Sequence, residues 1–180
     1  MQWYKKSPTR WRAEQTIARR YLTEVVVGFD EKRQAIIKGM FTPVLQHGGE
    51  FGAYEIRLVY PFGFPDGTKA PSVYIDSHRD CWSNLGDSHI EEDWKLCLFV
   101  PVESHIDFTA ADSLEKLLMC VAVFLFKERI YQQSLIVQSI TGQRAVWPGK
   151  ARSHGIDGII EAMIDKGNHS LDSFLSFRTR

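Results

Sequence analysis

TEVVVGFDEKRQAIIKGMFTPVLQHGGEFGAYEIRLVYPF, residues 23–62, carries three short runs of β-branched and aromatic residues, TEVVVGF, QAIIKGMFTPV and AYEIRLVYPF. Between them lie FDEKR and QHGGEFG, rich in charge and glycine. Runs of this composition separated by such spacers predict three consecutive antiparallel strands of a meander.

Upstream, Trp11, Ile17, Ala18, Tyr21 and Leu22 recur at helical spacing, so residues 11–22 predict an amphipathic helix, with Ser7 or Thr9 to cap its start around Pro8. Downstream, PFGFPDGTKAP excludes regular structure through its prolines and glycines, and PSVYID supplies a fourth strand. Residues 77–95 are polar and irregular, a long connection for a compact domain, and such loops tend to be functional or disordered. SLEKLLMCVAVFLFKERI, residues 113–130, is apolar on almost every side, has Asp112 or Ser113 as a cap, and predicts the most buried helix. SLIVQSI, residues 134–140, fits a helix or a strand. TGQRAVWPGKARSHG reads as an irregular link, IDGIIEAMIDKG as a short final helix, and HSLDSFLSFRTR as a tail of modest amphipathic character. There is no internal repeat.

A chain of 180 residues is of a size for one domain. With 22 basic and 22 acidic residues there is no electrostatic footprint for a phosphate backbone, so nucleic acid is disfavoured as the main ligand. No apolar run approaches the roughly 20 residues that cross a bilayer, and MQWYKKSPTRWR lacks the apolar core of a secretory signal, so the expected setting is the cytoplasm, away from membranes. Three cysteines do not form a disulfide framework and are expected to be reduced.

One of those thiols stands apart. In DSHIEEDWKLCLFVP, residues 87–101, a polar half leads into Trp94, Leu96, Leu98, Phe99 and Val100, which surround Cys97. The bland reading of Cys97 is a small buried hydrophobe on a short strand. The same reading suits Cys120, which lies between Met119 and Val121 in the apolar helix. His78, Cys81, His89 and Cys97 raise a zinc site, but their spacing lacks the close pairs of known fingers. A Cys-His hydrolase built on Cys97 and His89 is another reading; LCLFVP, however, reads as extended, whereas papain-like enzymes set their cysteine at a helix N-terminus. Trp82 and Trp94 are expected to pin the loop to the core, and His154 to be solvated. Arg10, Arg12, Arg19 and Arg20 read as a solvated helix face.

The order of elements resembles the ubiquitin-conjugating enzyme fold: a helix, a meander of four strands, a proline-rich turn, a long loop into a cysteine, then a helix. Tyr60, Pro61, Phe62, Pro65 and Pro71 resemble that family's turn, and PSVYI the strand after it. The family's His-Pro-Asn-Ile places its Asn eight residues before the active-site cysteine; here His89 stands eight residues before Cys97 and is followed by Ile90. Asp87, Ser88 and His89 replace the His-Pro-Asn triplet, and a lone His there is similar to the divergent bacterial relatives, as is WPGKARSHG.

The resemblance covers about residues 10–130 and implies a single α+β domain with helices packed on one face of the meander, extended by helical residues over about 131–180. It implies an acyltransferase that accepts on Cys97 the C-terminal glycine of a ubiquitin-like protein or a nucleotidyltransferase, from an activating enzyme, and passes it to a target lysine. The bacterial relatives are often encoded in anti-phage operons, including the cyclic-oligonucleotide signalling type (CBASS). No cofactor is implied. His89 would act as oxyanion donor or as base, with Glu91, Glu92, Asp93, Asp107 or Asp112 orienting the lysine. In the family the first helix contacts the activating enzyme. The competing expectation is a catalytically idle binding module on the same fold.

Overall fold

The computed structural model describes residues 2–44, 52–65, 69–77, 79, 89–91, 93–98 and 106–145. They form an α+β structure: α1 (Trp3–Lys6), α2 (Pro8–Tyr21), β1 (Leu22–Phe29), β2 (Ala35–Phe41), β3 (Tyr54–Val59), β4 (Ser72–Ile75) and α3 (Ser113–Thr141). The four strands make one antiparallel sheet in the order β1-β2-β3-β4. The meander is therefore as expected from the three runs and PSVYID.

The first helix starts earlier than its apolar spacing suggests. Pro8 occupies its first turn and Ser7 its N-cap position, without a side-chain capping bond. Proline suits that position because its missing N–H has no helical partner there in any case. The short α1 preceding it is an addition to the expected elements, and its Trp3 and Tyr4 are buried. Trp3 lies against Tyr60 and Phe64, with ring centroids 5.4 and 4.9 Å away, and Trp11 meets Tyr60 at 5.7 Å. Edge and tilted contacts of this kind add to the area buried. The turn after β3 is thus held from beneath by the first two helices.

Strand alternation sorts the sheet into two faces. Ala35, Ile37, Phe41, Ile56, Leu58, Val73 and Ile75 are buried and join α3's Leu114, Leu117, Leu118, Val121 and Leu125 in one core. Lys38, Glu55 and Arg57 take the opposite face. There Lys38 Nζ lies 2.8 Å from Glu55, and Asp76 receives both Arg57 and Arg79 at 3.0 and 2.8 Å. Burial raises the Asp76 pKa, but the hydrogen bonds and charge of Arg57, with Lys38, outweigh it and leave the carboxyl below its usual range.

Arg10 corrects the expectation of a solvated arginine face. Arg12, Arg19 and Arg20 are exposed, whereas Arg10 donates to Glu14 Oε1 at 2.5 Å, to the Phe108 and Thr109 carbonyls at 3.0 and 2.7 Å, and to Ser113 Oγ at 2.6 Å. Its guanidinium also lies over the Phe64 ring. Glu14 is fully buried, and its second oxygen accepts the Tyr60 hydroxyl at 2.9 Å. Positions 10, 14 and 18 share one helix face, so the inward stripe of α2 carries an ion pair where an apolar side chain is the usual occupant.

SLIVQSI is helix. It continues α3 without a break, so the expected boundary at residue 130 falls inside a helix. The continuation is solvated, with Ile136 and Ile140 at 62% and 79% exposure. Gly142 ends the helix in the left-handed conformation, its N–H bonded to the Gln138 carbonyl at 2.8 Å, a common C-terminal stop. Among the described residues no helix is long and apolar enough to cross a membrane. The expected final helix and tail lie outside the described residues.

Two outcomes test this packing. Arg10→Met leaves Glu14 buried without its cation and should lower stability by about 3–5 kcal/mol, read from urea unfolding, with Glu14→Gln in the same background restoring part of the loss. Glu128 in α3 is 1% exposed and its Oε2 has no hydrogen-bond partner among the described residues, while Oε1 accepts Gln132. Burial raises its pKa to about 7. A carboxyl raised in the folded state favours folding below its unfolded pKa and loses that contribution as pH rises through about 7. Thermal melts of wild type and Glu128→Gln should therefore agree near pH 4 and diverge toward pH 8 in favour of Gln, by up to about 3 kcal/mol.

Candidate functional site

The end of the long polar connection is a β-hairpin docked on the free edge of β4. Leu96 N–H donates to the Val73 carbonyl at 2.8 Å and Ile75 N–H to the Trp94 carbonyl at 3.0 Å, which sets Lys95 opposite Tyr74. The segment then pairs with its own upstream arm: Cys97 N–H donates to the His89 carbonyl and Glu91 N–H to the Lys95 carbonyl, both at 2.9 Å, around the Ile90–Leu96 bridge. Ile90 and Leu96 are each 4% exposed and belong to the core. They anchor the hairpin from within.

Its turn repeats the geometry of the β1–β2 turn. There Arg33 N–H bonds the Asp30 carbonyl, Asp30 N–H bonds the Gln34 carbonyl, and Arg33 has φ 62°. Here Trp94 N–H bonds the Glu91 carbonyl, Glu91 N–H the Lys95 carbonyl, and Trp94 has φ 67°. A left-handed residue closing the turn is usual for hairpins of this length, and a bulky aromatic in that role is uncommon. Trp94 is held in place by packing against the core and by the Arg79 guanidinium 5.4 Å from its ring. Its expected role as a pin is met; Trp82 lies outside the described residues.

Two cross-strand pairs flank the inward Ile90–Leu96 pair, and alternation sends Glu91, Lys95 and Cys97 to the other face. One pair is His89 and Cys97, the other Glu91 and Lys95. Lys95 Nζ contacts both oxygens of Glu91, at 2.8 and 3.0 Å. His89 has φ 55°, a conformation in which histidine is enriched among non-glycine residues. Glu91, Lys95 and Cys97 therefore share one face of a short ribbon, with the Cys97 thiol half-buried, and His89 meets Cys97 through its backbone carbonyl.

Electrostatics temper the thiol. Burial is the largest influence and raises the Cys97 pKa; the Glu91 charge raises it further, and Lys95 opposes both. Cys120, on α3, is raised by burial alone to about 11, in keeping with a mainly structural thiol.

Of the five carboxylates considered, Glu91 is on the ribbon and acts on Cys97. Asp93 sits in the hairpin turn and accepts the Lys95 N–H at 3.3 Å. Asp107 is held by Thr109, whose N–H and hydroxyl donate at 2.9 and 2.6 Å and lower its pKa. Asp112 pairs with Lys116 at 2.9 Å at the start of α3. Glu92 lies outside the described residues, as do His78, Cys81 and His154. Among the described residues no group of three or more His, Cys, Asp or Glu is placed to hold a metal ion.

Comparisons with protein-family models, curated proteins and solved structures find no match to this chain.

Lys95 escaped the sequence reading. Residues 77–95 read there as irregular, and the signal that would have found it is the alternation from His89 to Cys97 about a turn at Asp93 and Trp94. The obstacle is Trp94, which occupies a position where glycine or asparagine would have marked the turn.

With its pKa raised, Cys97 should alkylate with iodoacetamide at a rate that climbs about tenfold per pH unit from pH 7 to 9 without levelling. Peptide mass spectrometry separates it from Cys120, which should react far more slowly. A plateau below pH 8 would mean that the thiol is activated by a neighbour.

Proposed function

We propose that this protein is a thioester carrier of the ubiquitin-conjugating type. It accepts the C-terminus of a ubiquitin-like or ubiquitin-mimicking protein on Cys97 and transfers it to a lysine, in bacterial anti-phage defence. The observation that carries the reading is the pairing of His89 directly across from Cys97 on a hairpin fixed to the sheet edge. The element order leading to it, from α2 through the Tyr60 turn, supports the same reading.

In the loading step the Cys97 thiolate attacks the donor's thioester carbonyl, a new C–S bond forms and the donor thiolate leaves. In transfer a neutral amine attacks the same carbonyl, C–N forms, C–S breaks, and Cys97 leaves as thiolate while the amine's proton passes to His89 or to water. The raised thiol pKa suits a carrier. A thiolate of higher basicity is the poorer leaving group, so the loaded thioester resists water longer and waits for a stronger nucleophile.

The same raised pKa lends some weight to the alternative, a binding module in which Cys97 is idle. Tagged protein recovered from its host without reducing agent should carry a protein adduct that dithiothreitol releases, that is absent from Cys97→Ala, and that becomes thiol-resistant in Cys97→Ser. If Cys97→Ala keeps every activity in the host while substitutions elsewhere on the surface abolish it, the binding module is the correct reading. His89→Ala should leave loading intact and slow transfer to free lysine by about 100-fold, as for loss of one oxyanion donor, measured as single-turnover decay of the loaded thioester.

A further inference from the structure

We propose that Lys95 is a built-in acceptor for the acyl group on Cys97 and that Glu91 latches it, so that a loaded protein spends its thioester on an outside amine rather than on itself. The inference rests on the carrier reading and concerns how that site is regulated.

The geometry makes the hazard concrete. Lys95 and Cys97 are two residues apart on the same face of one strand, about 7 Å along the chain, a span that the flexible four-carbon stem of lysine covers. Lys95 and Glu91 are both close enough to act electrostatically on the Cys97 thiol. An amine tethered at that range has an effective concentration far above that of any diffusing lysine. Without restraint, self-acylation would outrun transfer.

The restraint is the cross-strand partner. Glu91 holds the Lys95 ammonium through both carboxylate oxygens, which points the nitrogen across the hairpin and keeps it protonated. A protonated amine has no lone pair to attack with. Burial, second only to the Glu91 hydrogen bond, opposes the charged form, while the Glu91 charge and, more weakly, Asp93 in the turn favour it, and the net direction is upward. Glu91 is about half exposed, with 46% of its side chain accessible, so the latch is a surface feature that substitution removes without disturbing the core.

Release would proceed by ordinary acyl transfer. Lys95 gives its proton to solvent, its neutral nitrogen attacks the thioester carbonyl, C–N forms and C–S breaks, and Cys97 returns as a thiolate. The product is an amide on Lys95, and the second amine proton passes to water.

The test uses a small donor, the 2-mercaptoethanesulfonate thioester of acetyl-glycyl-glycine, near neutral pH. Wild type should stop at a Cys97 adduct that hydroxylamine removes. Glu91→Gln should pass it on, with several-fold more hydroxylamine-resistant amide on Lys95 by peptide mass spectrometry. Glu91→Gln combined with Lys95→Arg should again stop at the thioester, and Cys97→Ala should give no amide. Equal amide in wild type and Glu91→Gln, or equal amide in Cys97→Ala, would overturn the latch while leaving the carrier reading intact. Absence of any Cys97 thioester in every variant would instead remove the carrier reading, and the inference with it. Labelling of Lys95 by N-acetoxysuccinimide reads the latch without Cys97: it should be several-fold faster in Glu91→Gln, and equal rates would also overturn the proposal.

Discussion

The guanidinium of Arg10 is the point on which the described fold converges. It neutralises the buried Glu14 within α2, takes up the Phe108 and Thr109 carbonyls just before α3, bonds Ser113 in the first turn of α3, and lies over Phe64 in the turn after β3. One rigid, always-charged fork thus fixes two helices and a loop that are far apart in sequence. Through Glu14 it also reaches the Tyr60 hydroxyl. Because breaking one side of a buried pair leaves the other charge uncompensated, separating α2 from the start of α3 exposes that cost.

How far the fold was legible follows from which residues announce themselves. The strands declared their period, and alternation in AIIKGMF and YEIRLV is the same alternation that divides the sheet into an apolar face and a charged one. The apolar helix was equally plain at Leu114, Leu117, Leu118 and Val121. Arg10 was not, because a charged residue at a buried helical position looks like any surface arginine until its partners, about a hundred residues away, are brought beside it. SLIVQSI was undecidable for a related reason: short apolar runs fit either period, and only its continuity with α3 settles it. The expectations for residues past 145 lie beyond what the structure describes.

At the candidate site the cysteine and its histidine partner were legible by position, and the reason they meet was not. Their separation of eight residues is what an antiparallel hairpin needs to set them face to face, with Ile90 and Leu96 as the inward pair between them. That scaffold was hidden because its turn uses Trp94 in a backbone conformation that seldom suits a large side chain. Stacking under Arg79 and contact with the core supply what the local sequence does not. The consequence for chemistry is a thiol with fixed backbone neighbours, set beside an ion pair that belongs to the same ribbon.

That ribbon has a second role, as a border. The backbone of β4 would otherwise present open donors and acceptors along one side of the sheet, a surface on which other chains can pair. Residues 94–96 occupy it through the Leu96 and Ile75 amides. On the opposite side, β1 breaks its own register between Thr23 and Val26, with Glu24 in a left-handed conformation at the irregularity, so that edge is poorly shaped as a template. The segment that displays Cys97 is therefore also part of what closes that edge of the sheet to another strand.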